Sequence, residues 1–290
     1  MPAQLWVSVA ELGTFFALIG LSYYVVVQGA GFFNFASGPY AMFAALCTTF
    51  LANQHGLPIV ASAGVGLLCA VALPVVTEVL VIRPIDRASP QDELPALIGI
   101  LATLYAIQQL AGVVFGRQLQ PGVALVPGTP LHVVGVELTR PSLVLILGTF
   151  LLFVVVHLWM RGSRYGRMLR AVGDSRSSAR ILGLPAGSVR LVAFALSGLI
   201  AGIAGILFAP KAGVSFASGL DFSFSGFLAF VIGGRGSVYA PLVGGFALAL
   251  MQVMVSYFIS ATAVNYAMLA VAALFFAVRP SGVFARAARA

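Results

Sequence analysis

Residues 141–210 read PSLVLILGTFLLFVVVHLWM, then RGSRYGRMLRAVGDSRSSARILGLPAGSVR, then LVAFALSGLIAGIAGILFAP: two apolar runs around a basic loop at Arg161–Arg190. Each flank supplies about the 20 apolar residues with which an α-helix crosses a bilayer core. The loop holds seven of the sixteen basic residues, and Asp174 is its one acid. Apolar, basic, apolar is the pattern of two membrane spans joined on the side where Lys and Arg accumulate.

Working outward, the chain is 60% hydrophobic and 8% charged, with mean hydropathy +1.04, far from the roughly 25% charged residues of a soluble domain. Apolar runs at 8–30, 38–54, 57–81, 94–116, 141–160, 190–210, 224–234, 240–260 and 264–278 predict an all-α polytopic membrane protein. We expect about 8–9 transmembrane or re-entrant helices in one membrane domain over 1–290. Alternating ten-residue segments, the mark of a membrane β-barrel, do not dominate. The net charge of +8 does not point to nucleic acid, because the basic residues sit in a few loops without aromatic interleaving. Cys47 and Cys69 both lie in apolar runs, against a disulfide framework or a zinc site. The first Arg is Arg83, so the N-terminus lacks the basic region of a cleaved signal.

Alternating the spans gathers 82–93, 161–190, Arg235 and the C-terminus on one side, with thirteen of sixteen basic residues. By the positive-inside rule that side is cytoplasmic, and the N-terminus is extracytoplasmic. The other side carries Arg117, Arg140 and Lys211, with 117–140 as a small hairpin-like loop rich in Pro and Gly.

Two segments interrupt the helical pattern. In Gln28–Tyr40, three glycines, Asn34, Ser37 and Pro39 predict either a plain loop or a discontinuous helix. In the second reading Asn34 and Ser37 cap a helix starting near Pro39, and Asn34, Ser37 and Tyr40 face a substrate path. In Lys211–Gly236, a Ser- and Gly-rich tract precedes an apolar run of about eleven residues, roughly 16 Å of helix, which suits a re-entrant segment. Ser225 is placed on the same path. Phe-Ala-Ser-Gly occurs at 35–38 and again at 216–219. Four common residues are weak grounds, yet paired interrupted segments in two halves point to an inverted internal repeat around a midplane path.

Inside the basic loop, Gly166–Val172 and Arg176–Leu182 read as two short helices, with Asp174 or Ser175 capping the second and Gly183 and Pro185 ending it. Arg167 and Arg170 share one face, Arg176 and Arg180 another. Enforcing topology alone would need fewer arginines and no caps, so we expect a docking segment. Gly198, Gly202 and Gly205 allow close helix approach, within this chain or with a partner chain.

At this point Asn34–Gly38, Gly166–Ala171 leading to Ala179–Leu184, Gly233–Val238 with Gly244 and Gly245, and Val278–Val283 resemble the branched-chain amino acid ABC transporter permeases, most closely their shorter permease subunit. The resemblance spans nearly the whole chain. It implies a bacterial inner-membrane subunit that pairs with a second homologous permease, two cytoplasmic ATP-binding subunits and a periplasmic or extracellular substrate-binding protein. It also implies that the loop couples to the ATPase through Gly166, Arg167, Arg170, Ala171, Arg176, Ala179, Arg180 and Gly183. Where many members carry His-Gly-Glu, this chain has Ser37-Gly38-Pro39. Urea and short amides use similar permeases, so the resemblance leaves the substrate open between those and amino acids.

No catalytic constellation is apparent, and no Gly-x-x-x-x-Gly-Lys-Ser/Thr loop is present, so ATP would be bound by partners and no cofactor by this chain. His55, His132 and His157 lack metal-ligand spacing. Glu78 and Asp221 are read as solvated at span ends. The competing class, a gradient-driven secondary transporter or channel, predicts an ionisable group well inside a span, and Glu11 comes nearest.

Overall fold

In a computed structural model that describes residues 4–88, 94–133, 136–174 and 183–278, each of the nine apolar runs is helical. The helices are α1 (Gln4–Ala30), α2 (Ser37–Gln54), α3 (Ile59–Thr77), α4 (Arg83–Ala88), α5 (Leu94–Val114), α6 (Arg140–Gly162), α7 (Arg164–Asp174), α8 (Ala186–Ala212), α9 (Ser218–Gly233), α10 (Ala240–Phe258) and α11 (Ala263–Val278). Six of the described helical segments are long and apolar enough to cross a membrane, and α9 and α11 are shorter apolar helices. Strands β1 (Leu131–Val133) and β2 (Val136–Leu138) pair antiparallel, Leu131 opposite Leu138, making the expected small hairpin.

The helix α1 is apolar on every side, and from Gly13 to Ala30 every residue is buried. A helix hydrophobic all round belongs in a core. It lies at the centre, packed on α8, α9 and α10 and touching α6 and α7. By contrast α5 and α6 turn large apolar side chains outward, among them Ile98, Val113, Leu147 and Leu151. Such a surface suits hydrocarbon rather than water.

Pro74 lies inside α3, where its ring cannot donate to the Ala70 carbonyl. Four residues on, the helix passes through a π-turn at Glu78–Ile82 and continues into α4, so the run is one 30-residue rod, Ile59–Ala88. The freed Ala70 carbonyl packs on Gly198 of α8, and Gly205 packs on the Ala41 carbonyl of α2. The glycine spacing on α8 is therefore a packing face within this chain.

Two buried charge groups tie the rods together. At one end of the bundle Glu78, fully buried, pairs with Arg83 (Nε–Oε2 2.7 Å) and Arg190 (Nε–Oε1 2.9 Å). Arg190 also reaches Asp86 (Nη1–Oδ2 2.8 Å). At the other end Glu11 pairs with Lys211 (2.8 Å) and accepts from the Ser142 hydroxyl. The expectation that Glu78 is solvated is overturned. The π-turn and α8 enclose it, and two guanidinium groups take the place of water.

Candidate functional site

The two interrupted segments are linkers between separate helices, and they meet. After α1, Gly31 takes a left-handed φ of 76° and its N–H returns to Val27 O (2.9 Å). After α8, Gly213 does the same with φ 69° and a bond to Ala209 O (2.8 Å). Only glycine adopts this conformation without strain, which ends each helix sharply. Both α1 and α8 are 27 residues long. In both cases Phe-Ala is the turn and Ser-Gly the first two residues of the next helix, α2 or α9. The N–H of Ser37 bonds Asn34 O (3.2 Å), and that of Ser218 bonds Ser215 O (3.1 Å).

The local geometry departs from expectation in two respects. Helix α2 starts at Ser37, so Pro39 falls within its first turn, where a missing N–H costs nothing. Asn34 caps no helical N–H; its Oδ1 accepts from Ala36 N (3.1 Å) and shapes the turn before the helix. Likewise α9 begins at Ser218 and runs sixteen residues, about 24 Å. Hydropathy alone starts it six residues late, because Ser, Gly and Asp lower the average without breaking the helix.

The first turns of α2 and α9 pack against each other. A side chain on Gly38 would collide with the Gly219 carbonyl and with Ser223, and one on Gly219 would press on Pro39. Gly38 N donates to Ser223 Oγ (3.2 Å), Ser223 Oγ donates to Phe35 O, and Tyr23 OH donates to Ser223 O (3.1 Å). The Ser37 hydroxyl bonds Asn34 O (3.0 Å) and approaches Ser197 of α8 at 3.5 Å. Tyr40 OH donates to Thr77 of α3 (3.1 Å). Five helices thus meet through hydrogen bonds at one buried junction. Nothing in the sequence marks Ser223 or Tyr23 as its fastener, since Ser223 is one of several serines in its tract and Tyr23 looks like an ordinary residue of an apolar helix.

Asn34, Ser37 and Tyr40 are fully buried at this junction and do not line the cavity between α1 and α9. Ser225 does. It borders a space of about 440 Å³ walled by α1, α9, α10 and α11, with Phe15, Phe16, Leu220, Asp221, Gln252 and Asn265 among its lining. The structure therefore brings three of the four predicted path residues together and leaves the fourth elsewhere.

Asp221 lies in the first turn of α9 and is exposed, as an acid near a span end would be. It shares the cavity with Leu12, Phe15 and Phe16, which lie near the middle of α1. No cation pairs with it among the described residues. Its place in the first turn of α9 returns about 0.3–1 kcal/mol through the helix dipole. Facing lipid at that depth costs about 2.5–3.5 kcal/mol. The cost exceeds the gain, so a charged carboxylate here needs water or a cation beside it rather than hydrocarbon.

In the basic loop α7 runs Arg164–Asp174, two residues longer at each end than expected. Ser163 Oγ accepts from Gly166 N (2.9 Å) at its start. Leu169 and Val172 are buried; Leu169 packs on Gly29, and Gly173 on Gln28. Arg164, Arg167 and Ala171 point outward and Arg170 is half-buried. Arg167 therefore does not share its setting with Arg170, although both are on α7. Arg176, Ala179 and Arg180, and the proposed second helix, lie outside the described residues. Gly183 follows them with φ 71°. Among the described residues no group of three His, Cys, Asp or Glu could hold a metal ion. His157 packs beside the Tyr239 ring at 5.1 Å.

This arrangement has known counterparts. The chain is 26% identical to the high-affinity branched-chain amino acid transport system permease protein LivH of Escherichia coli (strain K12), covering 95% of this chain and 92% of that one. It is 23% identical to the corresponding permease protein BraD of Pseudomonas aeruginosa, over 83% of this chain and 82% of the relative. Among solved structures its fold is similar to a chain of PsaBC from Streptococcus pneumoniae in complex with Fab, with TM-score 0.52 over 96% of this chain and 93% of that one, at 11% identity. The family profile described as the permease component of branched-chain amino acid transport systems matches residues 5–278. With that match spanning both linkers, the junction between them and α7, the chain belongs to the branched-chain amino acid transport system permeases.

Proposed function

We propose that this chain is one permease subunit of an ATP-driven importer for branched-chain amino acids, in a bacterial inner membrane. Its basic loop and C-terminus are cytoplasmic and its N-terminus extracytoplasmic. A second homologous permease, two ATP-binding subunits and a periplasmic or extracellular binding protein complete the machine. The observation that carries this reading is the seating of α7. Its buried face rests on the last turn of α1 while Arg164 and Arg167 are left exposed to a partner.

Motion delivered to α7 has a short route inward. Leu169 and Gly173 press on Gln28 and Gly29, and two residues later α1 gives way to the linker that carries Asn34. That linker is fastened to α9 through Ser223. A push from an ATPase at Gly166, Arg167, Arg170, Ala171, Arg176, Ala179, Arg180 and Gly183 would therefore reach the α2–α9 junction, where Asn34, Ser37 and Tyr40 act as its moving parts. The matched helix lengths, turns and tetrapeptides support an inverted repeat, because α1 and α8 run antiparallel: Gly29 lies by Ala193, and Glu11 by Lys211. The paired state of Glu11 favours this reading over a gradient-driven one, since its carboxylate already has a cation.

Uptake of leucine by membrane vesicles is expected to require ATP and the binding protein. Uptake that persists without ATP and collapses with an ionophore would overturn the reading. Separately, Arg167→Glu is expected to leave the permease inserted and monodisperse while the ATPase ceases to co-purify. Undiminished co-purification would remove α7 from the docking surface.

A further inference from the structure

The cavity at Asp221 has a neighbour. A second space of about 440 Å³, lined by Leu5, Ser8, Ser256 and Tyr257, shares Leu12, Gln252 and Val264 with the first. Ser8 lies near the start of α1 and Tyr257 near the end of α10, at the same end of the bundle as the Glu11–Lys211 pair. The two spaces adjoin at those three shared side chains and together trace a groove between α1, α10 and α11, one space toward that end and the other at Asp221. Leu12 and Phe16 lie about 2–8 Å from the midpoint of α1 at 1.5 Å per residue, so the groove reaches close to mid-depth.

Its chemistry is graded. Ser8, Ser256 and Tyr257 stand at the mouth, Gln252 and Asn265 midway, and Ser225 and Asp221 at the floor. Aromatic and aliphatic walls surround the floor, with Phe15, Phe16, Phe208 and Leu269 among them. A carboxylate at this depth has a physical reason to persist only where it meets water or a cation, and such residues mark substrate and ion pathways. The volume falls in the range of about 300–1,000 Å³ typical of small-molecule sites, and a few polar groups in an apolar pocket are their usual composition.

We propose that this groove is the part of the substrate path contributed by this chain, and that the Asp221 carboxylate receives the α-ammonium group of a passing amino acid. The assignment of the ligand rests on the amino-acid importer reading above. The apolar walls take the aliphatic side chain, and the Ser225 hydroxyl and the Asn265 amide can serve the carboxylate end of the zwitterion. The same arrangement rejects a neutral amide such as urea, which offers no cation to Asp221 and no apolar body to the phenyl rings.

Two measurements on the assembled transporter test this. In proteoliposomes Asp221→Asn is expected to lower leucine uptake about tenfold or more, the effect of losing one charged hydrogen bond. ATP hydrolysis stimulated by the binding protein should persist in that variant. If the wild-type complex transports leucine and Asp221→Asn transports it equally well, the groove proposal falls and the importer reading stands. If the wild type moves no amino acid, the importer reading falls.

The second measurement does not depend on transport. In a Cys47→Ala, Cys69→Ala background, Phe224→Cys places a thiol one turn from Asp221 on the same helix face. A cationic methanethiosulfonate is expected to modify it at least about fivefold faster than an anionic one, with the preference abolished by Asp221→Asn. Equal rates for both reagents, or no modification by either, would overturn the groove.

Discussion

Gly205→Leu is expected to abolish recovery of folded permease from the membrane. A β-carbon at this position would overlap the Ala41 carbonyl oxygen, and its next contacts are also Ala41 backbone atoms. No flexible side chain can swing aside, so α2 and α8 must separate. Overpacking costs about 1–3 kcal/mol where side chains yield, and more where only backbone stands in the way. Marginal stability leaves about 5–15 kcal/mol in total for an ordinary domain. Size-exclusion profiles in mild detergent should lose the monodisperse peak. Gly64→Leu, on the open face of α3 with nothing nearby, is the matched control and should elute as wild type. Similar profiles for both variants would mean that α8 does not pack on α2 as described.

Arg190→Met should be the most damaging single change among the charged residues. It leaves Glu78 fully buried with Arg83 alone, and strips Asp86 of the partner it holds at 2.8 Å. Removing one member of a buried ion pair costs about 3–5 kcal/mol, and the lower end applies here because Arg83 remains. The midpoint of thermal unfolding in detergent should fall clearly. Glu78→Met in the same chain should restore much of the loss, since a pair replaced by apolar residues is often neutral. A double variant no better than the single one would show that the two side chains do not act as a pair.

The position of Arg190 links stability to transport. It lies in the second turn of α8, five residues beyond Pro185, where the basic loop rejoins the membrane domain. Its partners belong to the π-turn and α4, at the end of the rod that begins at Ile59. The clasp therefore fixes α8 to α3 beside the segment expected to receive force from the ATPase. A loop that transmits motion needs a rigid frame on either side, and α1 supplies the other side through Gly29.

The approximate placement of the apolar helices was legible because hydropathy averages over about 20 residues and hardly depends on neighbours. So were the basic loop, the two interruptions and the small hairpin, each written in local composition. The start of α9 was not, because Ser218–Ser223 is helical only by virtue of its seat against α2. Residues that look like a loop in isolation gain helical hydrogen bonds where Gly38 and Gly219 let two backbones approach. Asn34 stands out in the sequence as a polar residue between apolar helices, yet its local role is to bend the linker. Glu78 and Asp221 look alike as acids near span ends, but one is enclosed by arginines and the other opens on a groove.

The sequence by itself determined that this is a helical membrane protein, roughly where its helices lie, and which loop carries the charge, because these follow from composition along short windows. Only the tertiary structure decided that α1 is the core rather than a lipid-facing span, that Glu78 meets Arg190 across 112 positions, and that Asp221 stands in a groove with no cation beside it among the described residues. The physical reason is that hydropathy measures exclusion from water and is blind to whether lipid or protein replaces it. The partner of a buried charge is set by which helices pack together, over separations that no local pattern records.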